Sequence, residues 1–416
     1  MFKDIINSLI KIFNEDAYLN LTINSVINSR DFSEHDKKIY VKVTCGVVEN
    51  KILIDKLLSS LISGKRVKPF IKNALRIGVY MISFMNTPNH HIVNEIVKVV
   101  KKEDFKASSF VNAILRKYIS EDIYQKELGK INKLPKLERL SILYSIDVEL
   151  VKLLNSQYQD VEGILKPNSD IYNCYRINTL KTSIKEVEEV LNSDNITYTI
   201  NNVILKTKEA LISHNLFETG KVVVQDESSI KVGLVASPSP NSSVLDVCSA
   251  PGAKSMHIAA IMNNTGKITS CDVHEHKLNL IEENAKKLGV TNINVRLADG
   301  TKEIYDDLFD VVIVDVPCSG LGVINHKSDL KYKMTIDKIK SINELQKCIL
   351  ENSSKYVKSK GHLVYSTCTI NKDENERLIR QFLKNHLDYK LIEEHIIVQN
   401  EKTNEDGFYI AKLERE

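Results

Sequence analysis

The sequence predicts a multidomain protein: an all-α bundle at the N-terminus, a small α+β module, and a C-terminal α/β domain with a doubly wound, Rossmann-like sheet. Three observations carry that prediction. The chain has 416 residues, more than a single hydrophobic core usually supports. Apolar residues recur at helical spacing through residues 1–130. After residue 236, short apolar runs alternate with amphipathic stretches, the pattern of a parallel sheet covered on both faces.

In the first segment Phe2, Ile5, Ile6, Leu9, Ile10 and Phe13 follow the i, i+3, i+4, i+7 rule. The stretches "IDKLLSSLI", "LRIGVYMISF", "HIVNEIVKVV" and "SSFVNAILRKY" repeat such stripes, while "SGKRVKPF" and "MNTPNH" carry Gly, Pro and Asn as loop punctuation. Residues 1–130 hold 21 Lys+Arg against 14 Asp+Glu, a net +7 that leaves −4 for the remainder. A basic module beside a mildly acidic one suits a polyanionic partner, and an ordinary solvated surface equally well. Residues 135–235 mix periods: "LVKLLNSQY" and "SIKEVEEVLNS" read as helices, "IYNCYRINTL", "ITYTINNVILK" and "GKVVVQD" as strands. The run "ASPSPNSS", 236–243, reads as a linker or loop. Beyond it, "VLDV", "KITSCDV", "INVRLAD", "FDVVIVDV" and "HLVYSTC" read as strands, with helices such as "EHKLNLIEENAKKLG" between them, so 236–416 is the third domain.

No apolar run approaches the roughly 18 to 20 residues that a membrane span requires, so no membrane association is expected. Seven cysteines are scattered, odd in number and free of any C-x-x-C pair, which argues against a disulfide framework and against a zinc site. A cytoplasmic protein without a metal is the expectation.

In a doubly wound sheet, ligands gather at the carboxyl ends of the strands. Four such ends carry an acid: Asp246 in "LDVCSAPGAK", Asp272 in "SCDV", Asp299 in "LADG" and Asp315 in "VDVPCSG". One acid there is usually only a cap or turn former, but four in succession point to a ligand. An acid closing the second strand is placed to accept from ribose hydroxyls, and Asp299 is placed either to accept from an adenine amino group or to hold its own loop. The turn "CSAPGAKS" lacks both phosphate-binding glycine patterns, which disfavours dinucleotides and triphosphates. One glycine with acids beyond it suits a ligand with ribose, adenine and a cationic tail, and S-adenosylmethionine has those parts.

Two apolar runs end on cysteines fifty positions apart, Cys318 in "PCSG" and Cys368 in "STCT". Either alone reads as readily as a structural thiol. Together they have a joint use. C5 of cytosine is a poor nucleophile until a thiolate adds to C6; after methyl transfer a base must remove the C5 proton, and an acid must serve N3. Cys368, Cys318 and Asp315 are the candidates for these parts, with a nearby cation needed to favour a thiolate.

These motifs resemble the bacterial small-subunit (16S) ribosomal RNA cytosine-5 methyltransferases of the Sun/RsmB type. "VQDESS", "LDVCSAPGAKS", "SCDVHEHKL", "LADG", "VDVPCSGLGVI", "YSTCTINKDENE" and "EDGFYIAKL" stand in that family's order, and "CYRINTLK" is similar to its connecting element. The front, with "LRIGVYMISFMNTPNHHIVNEIVKVVKK" and "SSFVNAILRKY", resembles the RNA-binding antitermination factor NusB. The resemblance implies a NusB-like RNA-binding domain at 1–130, an RNA-recognition or linking module at 135–235, and an S-adenosylmethionine-dependent catalytic domain at 236–416. It implies Cys368 as nucleophile with Cys318 assisting release, although DNA cytosine methyltransferases use a Pro-Cys like Pro317-Cys318 as their nucleophile. It implies that Cys248, Ser249, Ala250, Pro251, Gly252, Ala253 and Lys254, with Asp272, Asp299 and Asp315, contact the cofactor or the target base. Ala253 stands where the family usually has a second glycine, and Asn325, His326, Lys327 and Ser328 replace two arginines and a His-Pro, while Asp329 and Lys331 remain. The expected partner is 16S ribosomal RNA before or early in small-subunit assembly, bound by a monomer. Transfer RNA is the alternative substrate, and a non-catalytic RNA-binding assembly factor is the alternative of another class. The presence of both cysteines and all four acids weighs against the latter. A thiol redox enzyme would show a C-x-x-C pair.

Overall fold

The computed structural model describes residues 1–166, 172–399 and 405–416; Ile171, the first residue of "IYNCYRINTL", lies outside them. Contacts divide the chain into two units, Met1–Leu165 with Ile324–Ile336, and Lys166–Val323 with Asp337–Glu416.

The first unit is helical. Helices run over Phe2–Asn14, Leu19–Ser29, Glu34–Glu49, Lys51–Ile62, Pro69–Phe84, Asn89–Glu103, Phe105–Ser120 and Ile123–Ile131. Ile5, Ile6, Leu9 and Ile12 are buried on one face of the first helix, as the apolar spacing requires. Pro69 opens its helix at the first turn, where its missing N–H costs nothing. Asp104 starts another by accepting from Ala107 N at 3.1 Å. The sequence pattern put "LVKLLNSQY" in the middle module, but the contacts group it with the helical unit. Helix Lys136–Leu143 packs on Lys51–Ile62 and on Val148–Gln157, whose Leu150, Val151 and Leu154 are buried. The unit also takes in residues 324–336. There Asp329 Oδ2 accepts from Leu19 N at 3.2 Å, and the Lys331 carbonyl accepts from Asp147 N at 2.8 Å.

The second unit holds two sheets. The smaller is antiparallel, β1 (Asn173–Ile177), β2 (Tyr198–Asn201), β3 (Ile204–Thr207) and β4 (Val222–Val224), in the order β2-β3-β1-β4. Asn202, at φ 54°, turns "ITYTINNVILK" into the β2–β3 hairpin, a conformation that asparagine tolerates well. Helix Ile184–Ser193 begins with a capping box between Ser183 and Glu186.

The larger sheet contains β5 (Ser243–Asp246), β6 (Lys267–Asp272), β7 (Ile293–Leu297), β8 (Phe309–Asp315), β9 (Val357–Thr367), β10 (Tyr389–Ile397) and β11 (Phe408–Arg415). Its order is β10-β11-β9-β8-β5-β6-β7. The five strands expected from the sequence are parallel. Two more, β10 and β11, add an antiparallel edge, making the sheet mixed. Phe408, Tyr409, Ile410, Ala411 and Leu413 bury β11 between its neighbours, while β10 leaves Lys390, Glu393 and Ile392 exposed, a charged edge that discourages further pairing. The chain runs outward from β5 through β6 to β7, then restarts at β8 on the other side of β5. That reversal opens the crevice at the carboxyl ends of β5 and β8.

Candidate active site

Asp246 closes β5 and is fully buried. Its Oδ2 accepts from Ser255 Oγ at 2.6 Å, and Ser255 in turn meets Ser270 Oγ at 2.7 Å. Burial pushes the Asp246 carboxyl up to about 7. The chain then makes a tight loop: Ser249 N and Oγ donate to Cys271 O at 2.8 and 3.0 Å, Ala250-Pro251 is cis, and Gly252 N donates to Ser249 O at 2.7 Å. Gly252 sits at φ 99° as the cap of helix Ala253–Ile261, and a Cβ there would stand 3.2 Å from Ile281 Cγ2 and Met256 Cε. Ala253 occupies the first helical position, where a second glycine is not required by conformation. Cys248 is a neutral thiol, since burial and then the charges of Asp246, Asp315 and Asp272 all hold its ionisation far above the usual range.

Asp272 closes β6 and is nearly buried. Its Oδ2 accepts from Ala250 N at 3.3 Å and its Oδ1 from His274 N at 3.0 Å, which pins it to the glycine loop while leaving acceptor capacity on both oxygens. Asp299 is committed to its own loop: Oδ1 accepts from Thr301 Oγ1 at 2.7 Å and Thr301 N at 3.0 Å, and the Thr301 hydroxyl and N–H hold its carboxyl below the usual range.

The two cysteines and Asp315 meet beyond β8 and β9. Asp315 Oδ2 accepts from Lys254 Nζ at 2.6 Å and Oδ1 from Ser366 Oγ at 2.6 Å. Cys318 Sγ lies 3.3 Å from Cys368 Sγ. Burial works against the Lys254 ammonium, but Asp315, Asp246 and Cys368 outweigh it, so the group stays charged above its ordinary range. Lys254 is the cation whose charge reaches Cys368. Cys318 is held as a thiol, first by its hydrogen bond to Cys368, then by burial, and then by the charges of Cys368 and Glu374. The structure thus brings together Cys318, Cys368, Asp315 and Lys254, sets the 248–254 loop against Asp272, and gives Asp299 a local partner.

Sequence reasoning missed Ser366, Glu374 and the pairing of Lys254 with Asp315. A signal for Ser366 was present, because residues two apart in a strand share a face and Ser366 precedes Cys368 by two. Among the described residues no group of three or more His, Cys, Asp or Glu could hold a metal ion. The ribose hydroxyls of S-adenosylmethionine fit the acceptor capacity left on Asp272 beside the 248–254 loop, where Gly252 takes a left-handed backbone.

The family profile described as 16S rRNA methyltransferase RsmB/F matches residues 233–414, and the NusB family profile matches residues 4–120. A probable ribosomal RNA small subunit methyltransferase B of Bacillus subtilis (strain 168) is 31% identical over 412 residues, covering 92% of this chain and 88% of its own. Another, of Synechocystis sp. (strain ATCC 27184 / PCC 6803 / Kazusa), is 30% identical over 436 residues and covers 96% of each chain. The crystal structure of PH0851 has the same fold over 99% of both chains, with a TM-score of 0.81 at 24% identity.

Proposed function

The chain belongs to the ribosomal RNA small-subunit methyltransferase B family, an S-adenosylmethionine-dependent family, and from that premise we propose that it methylates C5 of a cytosine in 16S ribosomal RNA through a covalent adduct at C6. The observation that supports this reading is the thiol pair, Cys318 Sγ and Cys368 Sγ at 3.3 Å, beside the Lys254–Asp315 ion pair.

Cys368 is the nucleophile. Its thiolate is favoured by the Lys254 ammonium and by an S–H donated from Cys318. As sulfur adds to C6, ring electrons move toward N3, which takes a proton passed from the Lys254 ammonium through the Asp315 carboxylate 2.6 Å from it. C5 is then an enamine carbon. When bound against the 248–254 loop and Asp272, S-adenosylmethionine supplies an electrophilic methyl group. Asp272 and the loop backbone orient that group toward C5.

Cys318 acts in the release. Once the Cys368 sulfur carries carbon, the charge that most opposed Cys318 ionisation is gone. Cys318 yields its proton to solvent and removes the proton from C5. The electron pair of that C–H bond forms C5=C6, the C6–S bond breaks, Cys368 leaves as thiolate, and N3 returns its proton through Asp315 to Lys254. A base reached this way must leave its stack, which favours a loop or bulge as target.

The test is a denaturing gel of full-length protein with a 16S rRNA transcript and S-adenosylmethionine. Cys368→Ser abolishes methylation and leaves no adduct, because a serine hydroxyl stays protonated. Cys318→Ala transfers methyl yet remains trapped on the RNA. An adduct in Cys368→Ser alone reverses the two roles; adducts in neither variant remove the covalent route.

A further inference from the structure

Directly behind the two cysteine loops lies a carboxylate that the reaction above does not use. Glu374 has 0% of its surface exposed. Its Oε2 accepts from Ser319 N at 2.8 Å and from Gln346 Nε2 at 3.0 Å, and its Oε1 accepts from Asn371 Nδ2 at 2.9 Å. Its carbonyl accepts from Tyr365 Oη at 2.7 Å. Gln346 Nε2 also donates to Pro317 O at 2.9 Å. Cys318 is therefore bracketed on both sides, at the carbonyl before it and the N–H after it, by groups that converge on one carboxylate.

The next residue does the same for the other cysteine. Asn375 Oδ1 accepts from Thr367 Oγ1 at 2.6 Å, and Asn375 Nδ2 donates to Thr369 O at 2.9 Å. The two brackets are joined by the Ser319 and Thr369 hydroxyls, 2.7 Å apart. Gly322 N adds a bond to Cys368 O at 3.2 Å.

We propose that Glu374 is the positioning residue that holds the Cys318 loop in register with the Cys368 loop. The proposal rests on the reading that these two thiols share one reaction. Three donors meet at this side chain, and a carboxylate is acceptor-only, so it satisfies all of them. An ionised acceptor also makes each bond stronger than a neutral one would. The stiffness falls where the reaction needs it: Cys318 must lie close enough to Cys368 to donate to its thiolate, then reach C5 while Cys368 is bonded to the adjacent C6. Because Asn375 secures Cys368 separately, loss of Glu374 displaces Cys318 first. Attack then survives better than release.

Full-length Glu374→Ala, Glu374→Asp and Glu374→Gln test this through two readouts. The first is independent of methylation: diamide takes two electrons and two protons from the thiols, forming the Cys318–Cys368 disulfide and a hydrazine, and peptide mass spectrometry gives the rate. Glu374→Ala slows this pairing about tenfold, equivalent to ~1.4 kcal/mol of lost alignment. Glu374→Asp, too short to reach both loops, slows it less. Glu374→Gln falls between wild type and Glu374→Ala, since its amide oxygen still accepts from Ser319 N and Gln346 Nε2 but as a neutral acceptor, and its amide nitrogen meets the Asn371 amide, whose oxygen already accepts from Asp373 N. The second readout is the gel: Glu374→Ala accumulates adduct on a 16S rRNA transcript with S-adenosylmethionine, whereas general destabilisation lowers attack and release together. Wild-type pairing rates in both Glu374→Ala and Glu374→Asp, with no accumulated adduct, overturn the proposal. Should the wild-type chain give neither methylation nor adduct, the reading of the reaction fails, and the diamide rates still decide the positioning role.

Discussion

Each acid at a strand end has its own task, set by its partners. Asp272 keeps acceptor capacity toward the crevice, so Asp272→Ala weakens S-adenosylmethionine binding by about 1 to 3 kcal/mol, roughly 5- to 150-fold. Calorimetry with an unchanged affinity removes it from the site. Asp246 is different, because its partners are Ser255 and the protein interior. Its carboxyl titrates at about 7 in the fold and near its ordinary value of 3.8 when unfolded. Between those values the folded chain holds a proton that the unfolded chain has lost, so stability falls as pH rises through that window. The contribution is complete below about pH 4 and gone above about pH 7, up to ~4 kcal/mol in all. Asp246→Asn stays neutral throughout, so its advantage over wild type in differential scanning calorimetry is larger at pH 8 than at pH 4.5. An equal difference at both pH values refutes the elevated carboxyl.

The strands and helices were read from the sequence where one pattern dominated. "FDVVIVDV" is apolar on both faces, as a central parallel strand must be, and it delivers Asp315 and Cys318 to the crevice. "YKLIEEHII" was not recognised, because an edge strand mixes charged and apolar residues without a strict alternation. Glu374 was invisible for a related reason. In "NKDENE" it reads as one more charge at the start of a solvated helix, and only the folded chain places Ser319, 55 positions away, against it. The glycine loop, by contrast, was legible because its constraint is local. Gly252 at φ 99° starts the helix that carries Lys254, and alanine there pays for a left-handed backbone as well as the contacts with Ile281 and Met256. Gly252→Ala therefore loses about 1 to 3 kcal/mol and moves Lys254 off Asp315, lowering both cofactor affinity and the rate of adduct formation. Normal values of both, in a folded variant, place the loop outside the reaction.

At the scale of the whole molecule, the helical unit carries a surface and also takes in a segment that lies, in sequence, between the two cysteine motifs. Residues 324–336 begin six positions after Cys318, yet Asp329 and Lys331 are only 5% exposed among the helices, and Tyr332 meets Phe13 edge-on at 5.8 Å. Asp329 and Lys331, which the sequence marked as retained where their neighbours had changed, are thus anchors of that segment. Deleting residues 1–165 strips it of these partners, so deletion confounds RNA binding with disorder of residues 324–336. Charge reversal on the surface separates them. Lys98, Lys101 and Lys102 are exposed along one helix, with Lys101 5.3 Å from the ring of Phe105, which is 69% exposed. Lysines tracking a phosphate backbone beside an exposed ring form the combination that holds single-stranded nucleic acid. Each lost phosphate contact lowers the salt dependence of binding by about one unit of slope. Lys98→Glu, Lys101→Glu and Lys102→Glu together therefore weaken binding to a 16S rRNA transcript most at low salt and flatten the slope, while S-adenosylmethionine affinity stays at the wild-type value. An unchanged slope in the triple variant makes the +7 of this segment a solvated surface and moves RNA recognition elsewhere on the chain.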